Sequence, residues 1–323
     1  SNARPLACTE RHVDMSARLP RVGAVVLTYN SAADLPTSLD GLLAQQEIDT
    51  RIIVIDNAST PESLATMENV FRSRFPDGVI VDIADANPTY LDNATAIFVR
   101  NTHNRGYSAG NNIGARLAVY SGCDAVLIVN PDIRISDHHL ASTLWLGMQS
   151  SERCLIAAPR IVALDGRDEH PLREPSFWED FLWIRQYGPR KFRPPPYVIT
   201  PSGTAPIEAE KLHGSCLMIR SCFLEHMGFL DEKVFLYSEE PILAARVRSA
   251  VGVMIVFPEL KVTHAHIAST KGNSSRRMIH FIRSRLYYFD TYSNHGPIKR
   301  VALHASYRLL ELLHRTKARF DPD

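Results

Sequence analysis

The sequence predicts an α/β protein: a mostly parallel central sheet flanked by helices, with a C-terminal helical extension. Three observations carry that prediction. Apolar, β-branched runs alternate with amphipathic segments through the first part of the chain, the rhythm of strands joined by crossover helices. One run, Ala125–Asp132 (AVLIVNPD), stays apolar until it stops at Asn130-Pro131-Asp132, as a strand buried on both faces and closed by a turn does. Several of these runs end in polar clusters, and open α/β sheets bind ligands off the carboxyl ends of their strands.

The elements follow in order. Gly23–Asn30 (GAVVLTYN) reads as the first strand. Leu35, Leu39, Leu42 and Leu43 fall at helical spacing after Asp34. Arg51–Ser59 is the second strand. Leu64, Met67, Val70 and Phe71 mark a helix after Pro61, a residue suited to a first helical turn. Ala96–Asn101 is the third strand, Ile113, Leu117 and Tyr120 mark the third helix, and Ala125–Asp132 is the fourth strand. After Leu164 the rhythm breaks. Residues 165–206 form a Pro-rich loop carrying Phe177, Trp178, Phe181, Trp183, Tyr187 and Tyr197. Those rings either stack on a sugar face or pack the loop against the body. Order returns with Leu212–Ser221 (strand), Glu239–Ala250 (helix) and Val253–Phe257 (strand). From Ser275 to Phe320 apolar positions alternate with Lys and Arg. That pattern suits a basic amphipathic helix on a membrane or a helical pair packed on the main domain.

The composition is ordinary for a globular protein, with 45% hydrophobic and 22% charged residues among 323. A net charge of +1 supplies no global field for nucleic acid. Five scattered cysteines form no C-x-x-C pair, which fits a reducing cytosol with buried thiols acting as small apolar residues. No uncharged apolar run reaches membrane-spanning length and no signal-peptide pattern is present. Ser1-Asn2-Ala3 reads as a tag remnant, followed by an arm to residue 21. The location expected is cytoplasmic, with peripheral contact at the inner face of the membrane left open through the C-terminal helices.

Chemistry concentrates at the strand ends: Thr28-Tyr29-Asn30, Asp56-Asn57-Ala58-Ser59 and Asn130-Pro131-Asp132. A lone strand-end acid such as Asp132 holds a metal on a phosphate, or merely opens a turn that caps the next helix. The segment NRGYSAGNNIG (Asn104–Gly114) has glycines that let backbone approach a ligand and a helix start that favours phosphate. It is not a dinucleotide fingerprint, which would follow the first strand, and no G-x-x-x-x-G-K-[ST] loop exists. Dehydrogenase and P-loop chemistry are therefore disfavoured. Glu239 and Glu240 open a helix at Pro241. They are dipole partners, or one is a general base. His264 and His266 follow a strand and suit a metal, a phosphate or a structural hydrogen bond.

Taken in order, LTYN, VIDNAS, NRGYSAGNN, LIVNPD, HGSCLMIRS, FLDEKVFLYSEE and the His264-to-Ser269 segment resemble the family 2 glycosyltransferases. The likeness is to the bacterial rhamnosyltransferase-like branch, over residues 22–270. It implies a glycosyltransferase A fold, with a nucleotide-binding half (22–135), an acceptor half (136–270) and a helical extension (271–323). It implies inverting transfer from a UDP-, dTDP- or GDP-sugar, with Mg²⁺ or Mn²⁺, to a hydroxyl of a cell-envelope polysaccharide or lipid-linked glycan. By position, Thr28, Tyr29 and Asn30 would line the nucleoside and Asp56 would bond the base. Asn104, Arg105, Gly106 and Asn111 would border the diphosphate. Asp132 and His264 would face the metal, and Glu240 would be the base with Glu239 beside it.

Three departures from the family pattern stand out. Glu239-Glu240 replaces the usual Glu-Asp, Ile242 stands where a second Asp is common, and His266 and Ile267 replace glycines. These departures open the alternative of a weak or inactive nucleotide- or glycan-binding member. A nucleotidyltransferase would need a Gly-rich basic loop after the first strand, and SAADLPTSL offers none.

Overall fold

The computed structural model describes residues 18–187, 194–265 and 274–320. The tag remnant and most of the arm, Cys8, and the His266 and Ile267 departures lie outside the described residues.

The first half alternates as expected: β1 (Arg21–Thr28), α1 (Leu35–Leu43), β2 (Asp49–Asn57), α2 (Pro61–Arg74), β3 (Val79–Asp82), α3 (Tyr90–Asn93), β4 (Ala96–Asn101), α4 (Tyr107–Tyr120) and β5 (Ala125–Val129). The second half is less regular: β6 (Ile133–Ile135), α5 (Leu140–Gln149), β7 (Cys154–Ala163), α6 (Phe177–Phe181), β8 (Ile207–Glu208), β9 (Cys216–Arg220), α7 (Ser221–His226), α8 (Glu239–Ser249) and β10 (Val253–His264). Two helices follow, α9 (Ser274–Thr291) and α10 (Pro297–Phe320).

The strands form one sheet in the order β3-β4-β2-β1-β5-β9-β7-β10-β6, with β8 paired to β10. From β3 to β5 all pairs are parallel. β9 enters antiparallel between β5 and β7, and β6 pairs antiparallel with β10. All five residues of β5 are buried. Leu127 and Val129 join the core under α1, α2 and α5, while Val126 and Ile128 join the core under α4, α7 and α8. This two-sided burial explains the unbroken apolar run read from the sequence.

Some elements escaped the periodicity. β3 is four residues long, and Pro159 interrupts the apolar run of β7. β10 extends past Val253–Phe257 because the register against β7 shifts between Phe257 and Lys261, around Pro258, as a proline without a ladder donor requires. Cys222 is disulfide-bonded, against the expectation of a reducing setting, while Cys123, Cys154 and Cys216 are free and buried as expected.

The C-terminal helices pack on the main domain. Ile282, Leu286 and Phe289 of α9 and Leu303, Tyr307 and Leu310 of α10 form a core with Val234 and Ile242. Arg285 and Asp180 make a buried ion pair at 2.7 Å, and Tyr307 donates to Asp180 at 2.9 Å. The outer face of α10 leaves Ile298, Val301, Leu309, Leu312 and Leu313 exposed. The C-terminal helices are thus a helical pair packed on the main domain, as one of the two sequence readings expected. No described helix is long and apolar enough to cross a membrane.

Candidate active site

The site lies where the strands run out. β5 stops at Val129, and the backbone N–H of Asn130 donates to the Ser215 carbonyl at 2.7 Å. That tie fixes the Asn-Pro-Asp turn beside the segment entering β9. β10 pairs with β6 so that His264 faces Ile133, and with β7 so that His264 faces Ala163. Ala265 donates its N–H to the Asp132 carbonyl at 2.9 Å.

This register brings His264 Nε2 within 3.1 Å of Asp132 Oδ2, and His264 Nδ1 within 2.6 Å of Glu169 Oε2. Burial opposes a charge on His264, but hydrogen bonds to Asp132 and Glu169 outweigh it and raise its pKa to about 9. His213 stands next to it, with ring centroids 5.5 Å apart. Ligand atoms of Glu169, His213 and His264 lie within 4.8 Å of one another. His213 Nδ1 accepts the Ser215 N–H at 3.2 Å, and its own backbone N–H donates to His170 Nδ1 at 3.3 Å. His170 is fully buried, bonds the Pro159 carbonyl, and is lowered by burial to a pKa of about 4. It is a neutral brace. Burial, and next the charge of Asp132, raise the pKa of Asp34, so a further acid stands in this field.

The donor set fits a divalent ion. Carboxylate ligands suit Mn²⁺ or Mg²⁺, and imidazole suits first-row divalent ions such as Zn²⁺ and Fe²⁺. A carboxylate on Nδ1 that turns Nε2 toward Asp132 is the arrangement seen behind metal-bound histidines. Of these residues the sequence singles out Asp132 and His264. It does not single out Glu169, which stands in the Pro-rich loop with no motif around it. His213 lay inside the quoted HGSCLMIRS segment and was read only as part of a strand.

Along β1, β2 and β4 the polar strand ends bond one another. Thr28 is fully buried and its hydroxyl donates to the Ile55 carbonyl at 3.1 Å. Asn30, in left-handed backbone at φ 53°, donates its N–H to Ser59 and accepts from Thr60 N–H, both at 2.9 Å. Asp56 is almost fully buried beside Ser59, and burial raises its pKa. Tyr29 is 51% exposed.

The Gly-Asn loop, expected to border the diphosphate, is tied largely to the chain itself. Asn104 Oδ1 accepts from Gly106 N–H and Asn57 Nδ2. Arg105 is exposed and pairs with Glu232 at 3.3 Å. Gly106 has φ 96°, and a Cβ there would sit 2.0 Å from the Phe235 carbonyl oxygen. Its freedom therefore serves the segment before α8 rather than a ligand. Gly114 lets α4 lie close on β1, since a Cβ would meet Val25 at 2.5 Å. The first helical N–H, of Tyr107, is taken by the Phe235 carbonyl at 2.9 Å. Asn111 is buried, and its amide turns back on the Tyr107 carbonyl.

Glu239 and Glu240 begin α8 after two residues in left-handed backbone, Tyr237 (φ 70°) and Ser238 (φ 64°). Such strain concentrates at functional sites. Burial, and then the adjacent Glu240, raise the Glu239 pKa to about 8, and its Oε1 has no hydrogen-bond partner. Glu240 lines a cavity of about 640 Å³ bounded by the Pro-rich loop, the start of α8 and the C-terminal helices. Ile242, at the position where a second acid is common, is 2% exposed in the core shared with α9 and α10. Of the loop aromatics, Phe177 and Phe181 pack on the C-terminal helices, while Trp183 and Tyr197 line the cavity.

The overall shape is shared with two solved structures. A mannosyltransferase from Pyrobaculum calidifontis, in complex with GDP-Man and Mn²⁺, superposes with a TM-score of 0.54 at 15% identity over 95% of this chain and 77% of its own. GalNAc-T7 with UDP, GalNAc and Mn²⁺ gives 0.57 at 15% identity over 85% and 49%. The fold is thus a glycosyltransferase A fold. The profile of the family described as glycosyl transferase family 2 matches residues 24–205, more than half of the chain, and the chain belongs to that family. In sequence it is 25% identical over 209 residues to the low-salt glycan biosynthesis hexosyltransferase Agl10 of Haloferax volcanii. That match spans 63% of each chain.

Proposed function

We propose that the protein is an inverting, metal-assisted glycosyltransferase that moves a hexose or rhamnose from a nucleotide sugar to a hydroxyl of a glycan acceptor. The reading is carried by one observation: Asp132 and His264, from motifs far apart in sequence, meet at 3.1 Å at the strand edge where such folds bind ligands.

Tyr29, Asn30 and Asp56 hold the nucleoside, with Asp56 at the base. The exposed Arg105 faces the diphosphate. Asp132 and His264 would hold Mg²⁺ or Mn²⁺, with Glu169 orienting the imidazole and His213 adjacent. That ion, when bound, offsets the negative charge of the departing diphosphate. Glu240 takes the proton from the acceptor hydroxyl. The hydroxyl oxygen bonds the anomeric carbon on the face opposite the diphosphate, whose bond breaks with the electron pair. Glu239, held neutral by burial, cannot compete for that proton near pH 7. The Ile242 departure follows from packing, because this side chain joins the core of the C-terminal helices. It therefore gives no reason to read the chain as inactive.

A thermal-shift screen with UDP, dTDP and GDP, each with and without Mn²⁺, is expected to show one nucleotide whose stabilisation needs the metal. Transfer from the matching sugar nucleotide should then fail in Asp132→Ala and Glu240→Gln. Full activity in both variants would overturn the assignment.

A further inference from the structure

The 640 Å³ cavity beside Glu240 has the size of a small-ligand cleft. Its walls are partly aromatic: Trp183, Tyr197, Tyr237, Phe281 and Tyr307. Such rings pack against the C–H face of a sugar and leave its hydroxyls to polar groups. The charged residues of the lining are mostly satisfied. Lys211 pairs with Glu174 at 3.6 Å, and Arg285 pairs with Asp180 at 2.7 Å. Arg277 is different. No ion pair or hydrogen bond reaches it among the described residues, and its Nε is buried without a partner. The buried hydroxyl of Ser238, also in the lining, has no partner either. A buried guanidinium donor left unmatched is costly, and an incoming anion would match it bidentately.

We infer that this cavity takes an acidic acceptor: a glycoside whose ring lies on the aromatic wall, whose hydroxyl meets Glu240, and whose phosphate or carboxylate pairs with Arg277. The inference rests on reading Glu240 as the base of a glycosyl transfer, but its test uses binding alone.

The full chain is titrated calorimetrically with methyl glucoside, methyl glucuronide, glucose 1-phosphate and inorganic phosphate. At least one acidic glycoside should bind about tenfold or more tightly than the neutral one, the scale of one charge-assisted hydrogen bond. Which one does so separates a carboxylate from a phosphate. Arg277→Ala should remove that advantage, with affinity for the neutral glycoside and for a nucleoside diphosphate unchanged, and Arg277→Lys should restore part of it. Equal affinity for neutral and acidic glycosides in the natural chain would overturn the inference. So would an acidic preference that survives in Arg277→Ala, or inorganic phosphate binding as well as the preferred acidic glycoside. Acidic preference without transfer from any donor would sink the transferase reading and leave this site standing. Efficient transfer confined to neutral acceptors would do the reverse.

Discussion

Along the β1–β2–β4 edge, polar side chains bind one another: Asn57 links Asn101 and Asn104, and Asn30 links Ser59 and Thr60. Around the start of α8 and α9 the buried Glu239 Oε1, Ser238 Oγ and Arg277 Nε have no partner. On the first side Asn111 Oδ1, and Thr50 Oγ1 and Ser63 Oγ further from the strand ends, also lack hydrogen-bond partners. A satisfied edge is rigid before any ligand arrives, which suits a part that presents a fixed nucleoside slot. The unsatisfied side stores cost, about 1–3 kcal/mol for each buried polar group left unpaired. Under the proposed function, that cost lies where an acceptor would complete the bonds. The comparison separates a preorganised half from a half finished by its ligand.

The largest break expected is chemical. Glu240→Gln should lower kcat by about 10²–10⁴-fold, the usual weight of a general base, while nucleotide affinity stays level. A drop in nucleotide affinity equal to the drop in rate would instead make Glu240 part of the donor slot. Next comes the brace of the acceptor side. Asp180→Ala strands a buried guanidinium and should cost about 3–5 kcal/mol in urea unfolding. A loss under about 1 kcal/mol would show that the C-terminal helices are not held to the body through Arg285.

Gly106→Ala tests the seam between the two halves. Its strained φ and the Phe235 contact predict a loss of about 1–3 kcal/mol, read by thermal unfolding. A variant as stable as the natural protein would mean that the loop moves freely away from Phe235.

A pH dependence tests the buried acid beside Glu240. Glu239 keeps its proton to about pH 8 when folded, whereas the unfolded chain releases it near 4.5. Its contribution to stability therefore falls as pH rises from about 4.5 to about 8 and is level above. His264 acts in an overlapping window, because a raised histidine pKa loses stability from about 6.5 to about 9. The difference between Glu239→Gln and the natural chain isolates the glutamate. It should grow in favour of the variant up to about pH 8, and a flat difference between pH 5 and 9 would refute the buried neutral acid.

How much was legible follows the same division. The strands up to Val129 and the helices between them showed in the sequence because crossover units are local: each run is read from its own periodicity. Asp132 and His264 were visible because strand ends are marked by turns and motifs. β7 was hidden by Pro159, and Glu169, within a loop without period, had no local sign. Gly106 faces Phe235 and Gly114 faces Val25. Sequence shows that a glycine is needed without showing what approaches it.

By itself the sequence determined the alternation of strands and helices, the acids at their ends, and membership in a motif series. Hydrophobic periodicity and turn chemistry act over a few residues and need no fold to be read. Only the tertiary structure decided that β9 runs antiparallel between β5 and β7, and that His264 lies between Asp132 and Glu169. It alone decided that Ile242 is core and that Arg277 faces the cavity of Glu240. Those outcomes depend on register and on loop closure over long separations, where the residues that meet carry no local signal of their partners.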